Sequence, residues 1–400
     1  MKSSRAATSQ LPFIELFAGV GLVRLGLERA GWRCVLANDI DPKKEEMYRL
    51  AFPAKAQEDD HFLRKDIWKL LEDEEFEFPS ANLVTVSFPC IDLSLAGNRG
   101  GLSGEHSSAF WALPKLIERL DPKPQALLVE NVVGFATSRG GKDFSDAAAA
   151  LSQAGYVLDA FVVDARHFTA QSRPRLFMLG LTPELAARAM ILEDSTSPFS
   201  DWLRLYESAS QLRPTVLMKA IRGSVGSRWG FVRAPKLPKG GQRLPDVVER
   251  LPENSDLWWG AEKVEKLVSQ MSPRHLAVLE EMKAAPSPKF GTVYRRKRST
   301  GTMAELRTDG FAGCLRTPRG GSSKQILVEA CNGAVRIRWM TPREYARLQG
   351  APDSFPLPEN RTQALFGFGD AVCVPVLEWI GRNILNPAFA SASVEAPLSA

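Results

Sequence analysis

The chain has 400 residues, 44% of them hydrophobic and 24% charged, with a net charge of +5, an ordinary balance for a globular protein of one large domain plus a second module. Five scattered cysteines without a CxxC pair, and only four histidines, argue against a disulfide framework, a zinc site or a His-ligated centre, so no metal is expected. No apolar run of about 20 residues suggests a membrane span, and the polar stretch 1–10 reads as a disordered tail rather than a secretory leader, so a cytoplasmic protein without membrane contact is expected.

Pro12-Phe13-Ile14-Glu15-Leu16-Phe17 reads as a strand running into Ala18-Gly19-Val20-Gly21. A helical pattern through Leu22, Leu25, Leu27 and Ala30 follows and closes at Gly31. Strand, glycine turn and helix make the first half of a nucleotide-binding unit. The spacing is not GxGxxG, and glycines in such turns are often only structural. Cys34 to Ala37 is a second strand, ending in Asn38-Asp39-Ile40-Asp41. An acid there suits a ribose hydroxyl pair, while Asp41-Pro42 suits the start of a helix through Leu50. Both roles fit together, with Asp39 on the ligand and Asp41 as the cap. Lys65-Asp66-Ile67 marks a third strand end, where Asp66 is either a ligand group or a solvated acid.

Leu83-Val84-Thr85-Val86 is a buried strand that stops at Phe88-Pro89-Cys90, and glycines 97, 100, 101 and 104 follow. Cys90 then sits where open α/β sheets bind ligands, although a single cysteine is as readily a small buried hydrophobe. A helix over Ser107 to Leu120 precedes the strand Ala126 to Val129, which ends in Glu130. A carboxylate in that setting is a good general acid, or else an exposed edge acid. A helix (Phe144 to Gln153) and a strand (Tyr156 to Asp164) lead to Gln171-Ser172-Arg173-Pro174-Arg175 and a last strand, Leu176 to Gly180. Arg173 and Arg175 alternate, so they share one face of an extended chain.

After Leu181 the βα rhythm stops. Thr182 is placed to cap a helix from Pro183 to Leu192, residues 210–255 look loop-like, and Glu262 to Ala284 reads as two helices parted near Pro273. From Phe290 the chain is basic and glycine-rich, whereas Glu58 to Glu77 is acidic, so a polyanion is expected on the later part. Arg316, Arg319, Ser322, Ser323, Lys324 and Gln325 suit contacts to phosphates and base edges. Thr341, Pro342 and Glu344 form a capping box for a helix to Leu348, and Gly369 to Val372 leads into a last helix, Val374 to Ile384.

In that order these motifs resemble the cytosine-C5 DNA methyltransferases, over roughly Phe13 to Leu385. Glu15-Leu-Phe-Ala-Gly-Val-Gly21 resembles the cofactor loop and Phe88-Pro-Cys90 the nucleophile motif. Glu130-Asn-Val132 resembles the acid motif and Gln171-x-Arg173-x-Arg175 the paired-arginine motif. Arg338 to Gly350 resembles the motif that supports target recognition, and Gly369-Asp-Ala-Val372 the last cofactor motif. The departures are Glu15 for the usual Asp, Leu22 for the second of two closing glycines, Ile91 for Gln, and Asp370 for Asn.

The resemblance implies a doubly wound, mostly parallel S-adenosylmethionine-dependent sheet plus a smaller irregular recognition domain. The expected division is a tail over 1–10, a catalytic and cofactor domain over 11–180, a recognition domain over 181–335, and a return to the catalytic domain over 336–400. Cys90, Glu130, Arg173 and Arg175 are the implied catalytic residues. Phe17, Gly19, Gly21, Asp39, Ile40, Asp66, Ile67, Pro89, Ala371 and Val372 are the implied contacts to S-adenosylmethionine, which leaves as S-adenosylhomocysteine. The loop from Gly97 to Gly104 is the implied lid over a flipped cytosine. The expected partner is double-stranded DNA, met by a monomer in the nucleoid, with a genetically linked restriction endonuclease as companion. The rival readings are an RNA cytosine-C5 methyltransferase on the same scaffold, a non-catalytic DNA-binding relative, and a Rossmann oxidoreductase disfavoured by its glycine spacing.

Overall fold

The computed structural model describes residues 10–54, 60–89, 101–104, 107–192, 210–298, 301–317 and 324–390. Strands β1 (Pro12–Leu16), β2 (Arg33–Asp39), β3 (Phe62–Arg64), β4 (Leu83–Val86), β5 (Ala126–Val132), β6 (Val157–Asp164) and β7 (Pro174–Leu181) form one sheet in the order β3-β2-β1-β4-β5-β7-β6. β3, β2, β1, β4 and β5 are parallel in series, and β7 runs antiparallel to both β5 and β6. These strands are largely apolar because both faces are covered. Phe13 joins the cluster that holds Leu27 and Ile380, whereas its neighbour Ile14 joins the one that holds Phe110 and Leu116.

The chain runs outward from β1 through β2 to β3, then crosses to β4 on the other side. That reversal opens a crevice at the carboxyl ends of β1 and β4. Leu16 is in register with both Asn38 and Val86, so Phe17, Asp39 and Ser87 leave the sheet at one edge. The antiparallel β7 enters where β5 leaves, with Arg175 opposite Val132. Two helices on this side start on side-chain caps: Asp41 accepts from Lys43 N at 2.8 Å, with Pro42 in the first position, and Asp66 accepts from Trp68 N at 2.8 Å.

Beyond β7 the structure departs from the expected elements. The helix from Pro183 stops at Ala189. Met190–Leu192 is instead a strand, β8, antiparallel to β9 (Gly230–Val232). The side chain of Thr182 makes no capping hydrogen bond. The region read as loop contains a helix, Thr215–Gly223, whose buried Leu217 and Ile221 provide the reason. Arg213 and Asp159, both buried, pair at 2.6 Å, and Asp159 also accepts from Val232 N, so this extension is anchored on β6.

β10 (Lys289–Arg298), β11 (Gly301–Arg307), β12 (Ile326–Cys331) and β13 (Ala334–Trp339) form a second, antiparallel sheet in the order β11-β10-β12-β13. The basic stretch after Phe290 is therefore a strand pair. The helices Ala261–Val268 and Pro273–Ala284 bring Leu267, Leu279 and Met282 against Val293, Val328 and Ile337. Phe290 and Leu327, which alternate with that set, pack with Tyr345, Leu348 and Phe368.

The capping box at Thr341 and Glu344 is present. Glu344 also closes a fully buried two-armed pair with Arg338, at 2.6 and 2.7 Å, and accepts from Glu249 N. The Gly369 to Asp370 stretch ends a helix, Arg361–Asp370, rather than forming an entry turn. A Cβ at Gly367 would lie 2.7 Å from Val20, which accounts for the glycine. The helical stretch Arg361–Ala390 has the length and apolarity of a membrane span, yet 78% of its apolar window is buried inside the fold.

Candidate active site and nucleic-acid interface

At the end of β1 the backbone turns through two left-handed residues, Phe17 (φ 57°) and Gly19 (φ 57°). Gly19 N donates to Asp39 Oδ2 at 2.8 Å, and Asp39 Oδ1 accepts from Asp41 N at 2.9 Å. Asp39 thus ties the glycine turn to the end of β2. A Cβ on Gly19 would meet nothing nearer than Phe17 O at 4.0 Å, so the space beside it is open. Gly21 differs: a Cβ there would lie 2.4 Å from the Phe52 ring. Its glycine is required by packing as well as by its φ of 81°. Ile40 is 61% exposed at the same edge. Asp66 spends one oxygen capping a helix, and the side chain of Ile67 lies in the core, so what these two offer the crevice is the other carboxylate oxygen and backbone.

Glu130 and Arg175 meet across β5 and β7. Glu130 shares a face with Val132, and Arg175 stands opposite Val132, so the two side chains lie on a diagonal that long groups span. Arg175 Nε is 3.0 Å from Glu130 Oε1. Burial pushes the Glu130 carboxyl above the ordinary range, against the pull of Arg175, Arg173 and a hydrogen bond from Ser87. Ser87 directly precedes Phe88-Pro89. Asn131 donates to Phe88 O at 3.1 Å and Ser107 to Pro89 O at 3.0 Å, so β5 and the Ser107–Trp111 turn fix the chain leading to Cys90. Cys90 itself, glycines 97 and 100, and Arg319, Ser322 and Ser323 lie outside the described residues. The end of the loop read as a lid is anchored: Leu102 is buried and its N–H donates to Asp143 at 3.1 Å.

Arg173 occupies a different position from Arg175. It is 3% exposed. Nη1 donates to Leu315 O at 2.9 Å, and Nη2 to Ala371 O at 2.7 Å and, at longer range, to Gly369 O and Asp370 O. The guanidinium therefore clamps the Leu315 backbone and the Gly369–Ala371 turn to the start of β7. Gln171 works beside it, accepting from Leu315 N at 3.0 Å and donating to Leu348 O at 2.9 Å. Gln349 donates to Phe368 O and Ala371 O. These buried amides carry no distinguishing signal in the sequence beyond their place in the motifs. A Cβ at Gly369 would stand 2.7 Å from the backbone of Arg316, so this glycine lets the Arg316–Thr317 backbone lie against the turn. Asp370, where Asn is usual, turns outward to Lys44 at 3.5 Å. Ala371 is partly exposed and Val372 buried, both on that turn.

The segment Ala312 to Thr317 lies beside Ala170 to Ser172 through Ala312 N to Ala170 O (2.7 Å) and Ser172 N to Ala312 O (3.0 Å). Cys314, which no sequence motif singles out, brings its sulfur 3.4 Å from Arg173 Nη1 and 3.7 Å from Arg175 Nη2. Arg316 is exposed, with its guanidinium 5.4 Å from the Tyr294 ring centre. Lys324 is partly exposed. Gln325 corrects its expectation: it is 5% exposed, its N–H donates to Tyr345 Oη and its amide to Cys314 O, so it anchors the segment rather than facing a ligand.

A family model described as C-5 cytosine-specific DNA methylase matches residues 11–386. The type II methyltransferase M.DsaV of Dactylococcopsis salina is 27% identical over 378 residues, covering 94% of this chain and 86% of that protein. M.HhaI of Haemophilus parahaemolyticus is 24% identical over 375 residues, covering 94% of each. The crystal structure of S. pombe Dnmt2 methyltransferase superposes with a TM-score of 0.57 at 18% identity, covering 94% of this chain and 99% of that one, a likeness of fold.

Proposed function

Since the chain belongs to the C-5 cytosine-specific DNA methylase family, we propose that it methylates C5 of a cytosine flipped out of a specific duplex sequence, through a covalent adduct at Cys90. The observation that carries this reading is the Glu130–Arg175 pair at 3.0 Å, with Glu130 hydrogen-bonded to Ser87. The family is S-adenosylmethionine-dependent, and the residues fit that ligand: an open turn at Gly19, the Asp39 carboxylate, and the exposed Ile40. Phe17, Gly21, Asp66, Ile67, Ala371 and Val372 complete that side. When bound, the sulfonium supplies an electrophilic methyl group.

The thiolate of Cys90 adds to C6 of the base, and the displaced electron pair is taken up at N3 by a proton from Glu130. Burial, which raises the Glu130 carboxyl above the ordinary range, favours the protonated form that this step uses. Arg175 holds Glu130 and donates to O2 as charge develops there. Arg173 positions Arg175 by fixing the start of β7. C5 accepts the methyl group and then loses its proton to a base. That electron pair re-forms the C5–C6 double bond as the C6–S bond breaks, and N3 returns its proton to Glu130. Residues 11–180 and 336–400 act as the catalytic domain and 181–335 as the recognition domain. The proposal extends to a monomeric modification enzyme.

The test is transfer of labelled methyl from S-adenosylmethionine to duplex DNA and to transfer RNA, with Cys90→Ala alongside. Label in DNA as 5-methylcytosine, lost in the variant, is expected. Label in RNA alone moves the function to the rival substrate. No label, with DNA still bound, rejects catalysis.

A further inference from the structure

Behind the glycine turn lies a polar knot that no sequence motif marks. Arg24, in the helix Leu22–Arg29, pairs through Nε with Glu28 at 2.8 Å. Its Nη1 reaches Tyr48 Oη at 3.2 Å and His61 Nε2 at 2.7 Å. Tyr48 Oη is itself 3.1 Å from the same ring nitrogen. A guanidinium only donates, so His61 Nε2 accepts and carries no proton. The backbone fixes this residue too: His61 O accepts from Ala37 N at 2.9 Å, two residues before Asp39.

The knot bears on the turn through two rings. Arg24 lies over Phe52, 4.1 Å from the ring centre. Phe52 and Tyr48 have ring centres 5.1 Å apart and press together against Gly21. A Cβ there would stand 2.4 Å from the first ring and 2.9 Å from the second. Contact therefore runs from His61 to Arg24, from Arg24 to the rings, and from the rings to the backbone of the glycine turn. We propose that His61 is a positioning residue for S-adenosylmethionine: unprotonated, it holds Arg24 and the two rings against Gly21, and a proton on Nε2 releases them. This rests on the cofactor-binding reading above.

A proton on Nε2 removes the acceptor and sets a second cation against the guanidinium, which a partly buried site tolerates poorly. The groups around the ring are otherwise engaged or neutral. Glu28 is held by Arg24, and Asp60, beside His61, gives both oxygens to Arg49 at 2.8 and 2.7 Å. Burial pushes the Tyr48 hydroxyl and the Cys34 thiol up, so both keep their protons. Burial also raises the Glu15 carboxyl, which feels Arg24, and this makes Glu15 the rival source of any titration here.

The unprotonated ring is the binding form, so affinity is present at higher pH and lost as pH falls. The experiment measures the affinity of the full chain for S-adenosylhomocysteine, without DNA, by calorimetry between pH 7.5 and 5.5. Melting temperature is recorded at each pH, for wild type, His61→Gln and His61→Leu. Wild-type affinity is expected to fall about ten-fold over that span, which brackets the ordinary imidazole midpoint, while the chain stays folded. His61→Gln offers Arg24 an amide oxygen that does not titrate. It is expected to hold one affinity across the series, tighter than that of His61→Leu, which offers no acceptor. A flat wild-type profile overturns the inference and leaves the methylation reading intact. A profile that persists in His61→Gln overturns it too and moves the titration to Glu15. Wild-type affinity in His61→Leu, or a melting temperature that falls with pH while affinity holds, reduces His61 to packing and rejects the proposal. A wild-type chain that binds no S-adenosylhomocysteine at any pH overturns both readings together.

Discussion

On the catalytic sheet Glu130 and Arg175 face each other at 3.0 Å, and Arg173 is wrapped in main-chain carbonyls. On the second sheet Lys263 Nζ rests 4.0 Å from the Trp259 ring centre, and Arg295 lies 5.2 Å from that of Trp339. Both regions are cationic, yet they hold charge in opposite ways. Where bonds are to change, each charge is already balanced and oriented, so little reorganisation remains for the reaction itself. Cations that rest on ring faces are held without being neutralised, so they stay available to a polyanion, which would release counterions as it binds. The contrast predicts that damage on the first side appears in turnover and damage on the second side in binding.

The largest effect is expected from breaking the balanced pair. Glu130→Gln and Arg175→Ala should each lower kcat by about 10²- to 10⁴-fold, the usual span for a lost general acid or its partner. Duplex affinity and its salt slope should stay at wild-type values in a filter-binding or anisotropy assay. The pH profile sharpens this. Glu130 acts while protonated and its pKa is raised, so kcat/KM should fall as pH rises through a range above that of ordinary glutamate. A descending limb within the ordinary range, or one that survives in Glu130→Gln, would sink the assignment.

The seam between the two regions comes next. Arg338 and Glu344 are both fully buried, and Glu344 also receives N–H groups from Glu249 and Thr341. Removing one charge strands the other, which typically costs about 3 to 5 kcal/mol. Glu344→Gln should therefore lower the denaturant midpoint and weaken DNA binding together. A variant with wild-type stability and lost activity would place Glu344 in the chemistry instead.

The sequence legibility of the two regions differs for a related reason. β1, β4 and β5 read clearly because strands buried on both faces are continuous apolar runs, and Asp41-Pro42 and Thr341 to Glu344 are local capping signals. Glu130 and Arg175 are legible through their motifs, but their contact depends on β7 running backwards beside β5, which no local pattern encodes. The recognition sheet is not legible. Its strand β10 contains Tyr294-Arg295-Arg296-Lys297-Arg298, which looks like a solvated basic run, and its pairing with β12 spans a long connection. Gln325 misleads because an amide next to a lysine looks exposed, whereas Tyr345, distant in sequence, draws it inward.

A smaller effect is expected at the exposed edge of the recognition segment. Arg316→Ala should reduce the salt slope by about 0.9 if it meets one phosphate, or relax sequence preference if it reads a base. Methylation assays on cognate and scrambled duplexes separate these outcomes. Unchanged preference together with an unchanged slope removes Arg316 from the interface.

The smallest effect falls on a residue that touches both regions. Cys314 lies in the recognition segment, two residues before Arg316, and its sulfur contacts both catalytic-side arginines. Burial alone would push its thiol up, but Arg173 and Arg175 outweigh burial and hold it below the ordinary range. Thiolate is therefore present at lower pH than for a free cysteine. Brief alkylation across a pH series, mapped by mass spectrometry in a Cys90→Ala background, should show Cys314 reacting below the usual thiol midpoint. Duplex DNA should slow that reaction. Cys314→Ser keeps a small polar group but not the charge, and it should lower kcat by roughly five-fold, equivalent to about 1 kcal/mol, with the salt slope intact. An ordinary midpoint combined with wild-type turnover in Cys314→Ser would mean that the recognition segment touches the catalytic arginines only through the Leu315 backbone, and that the two regions are joined by shape rather than by charge.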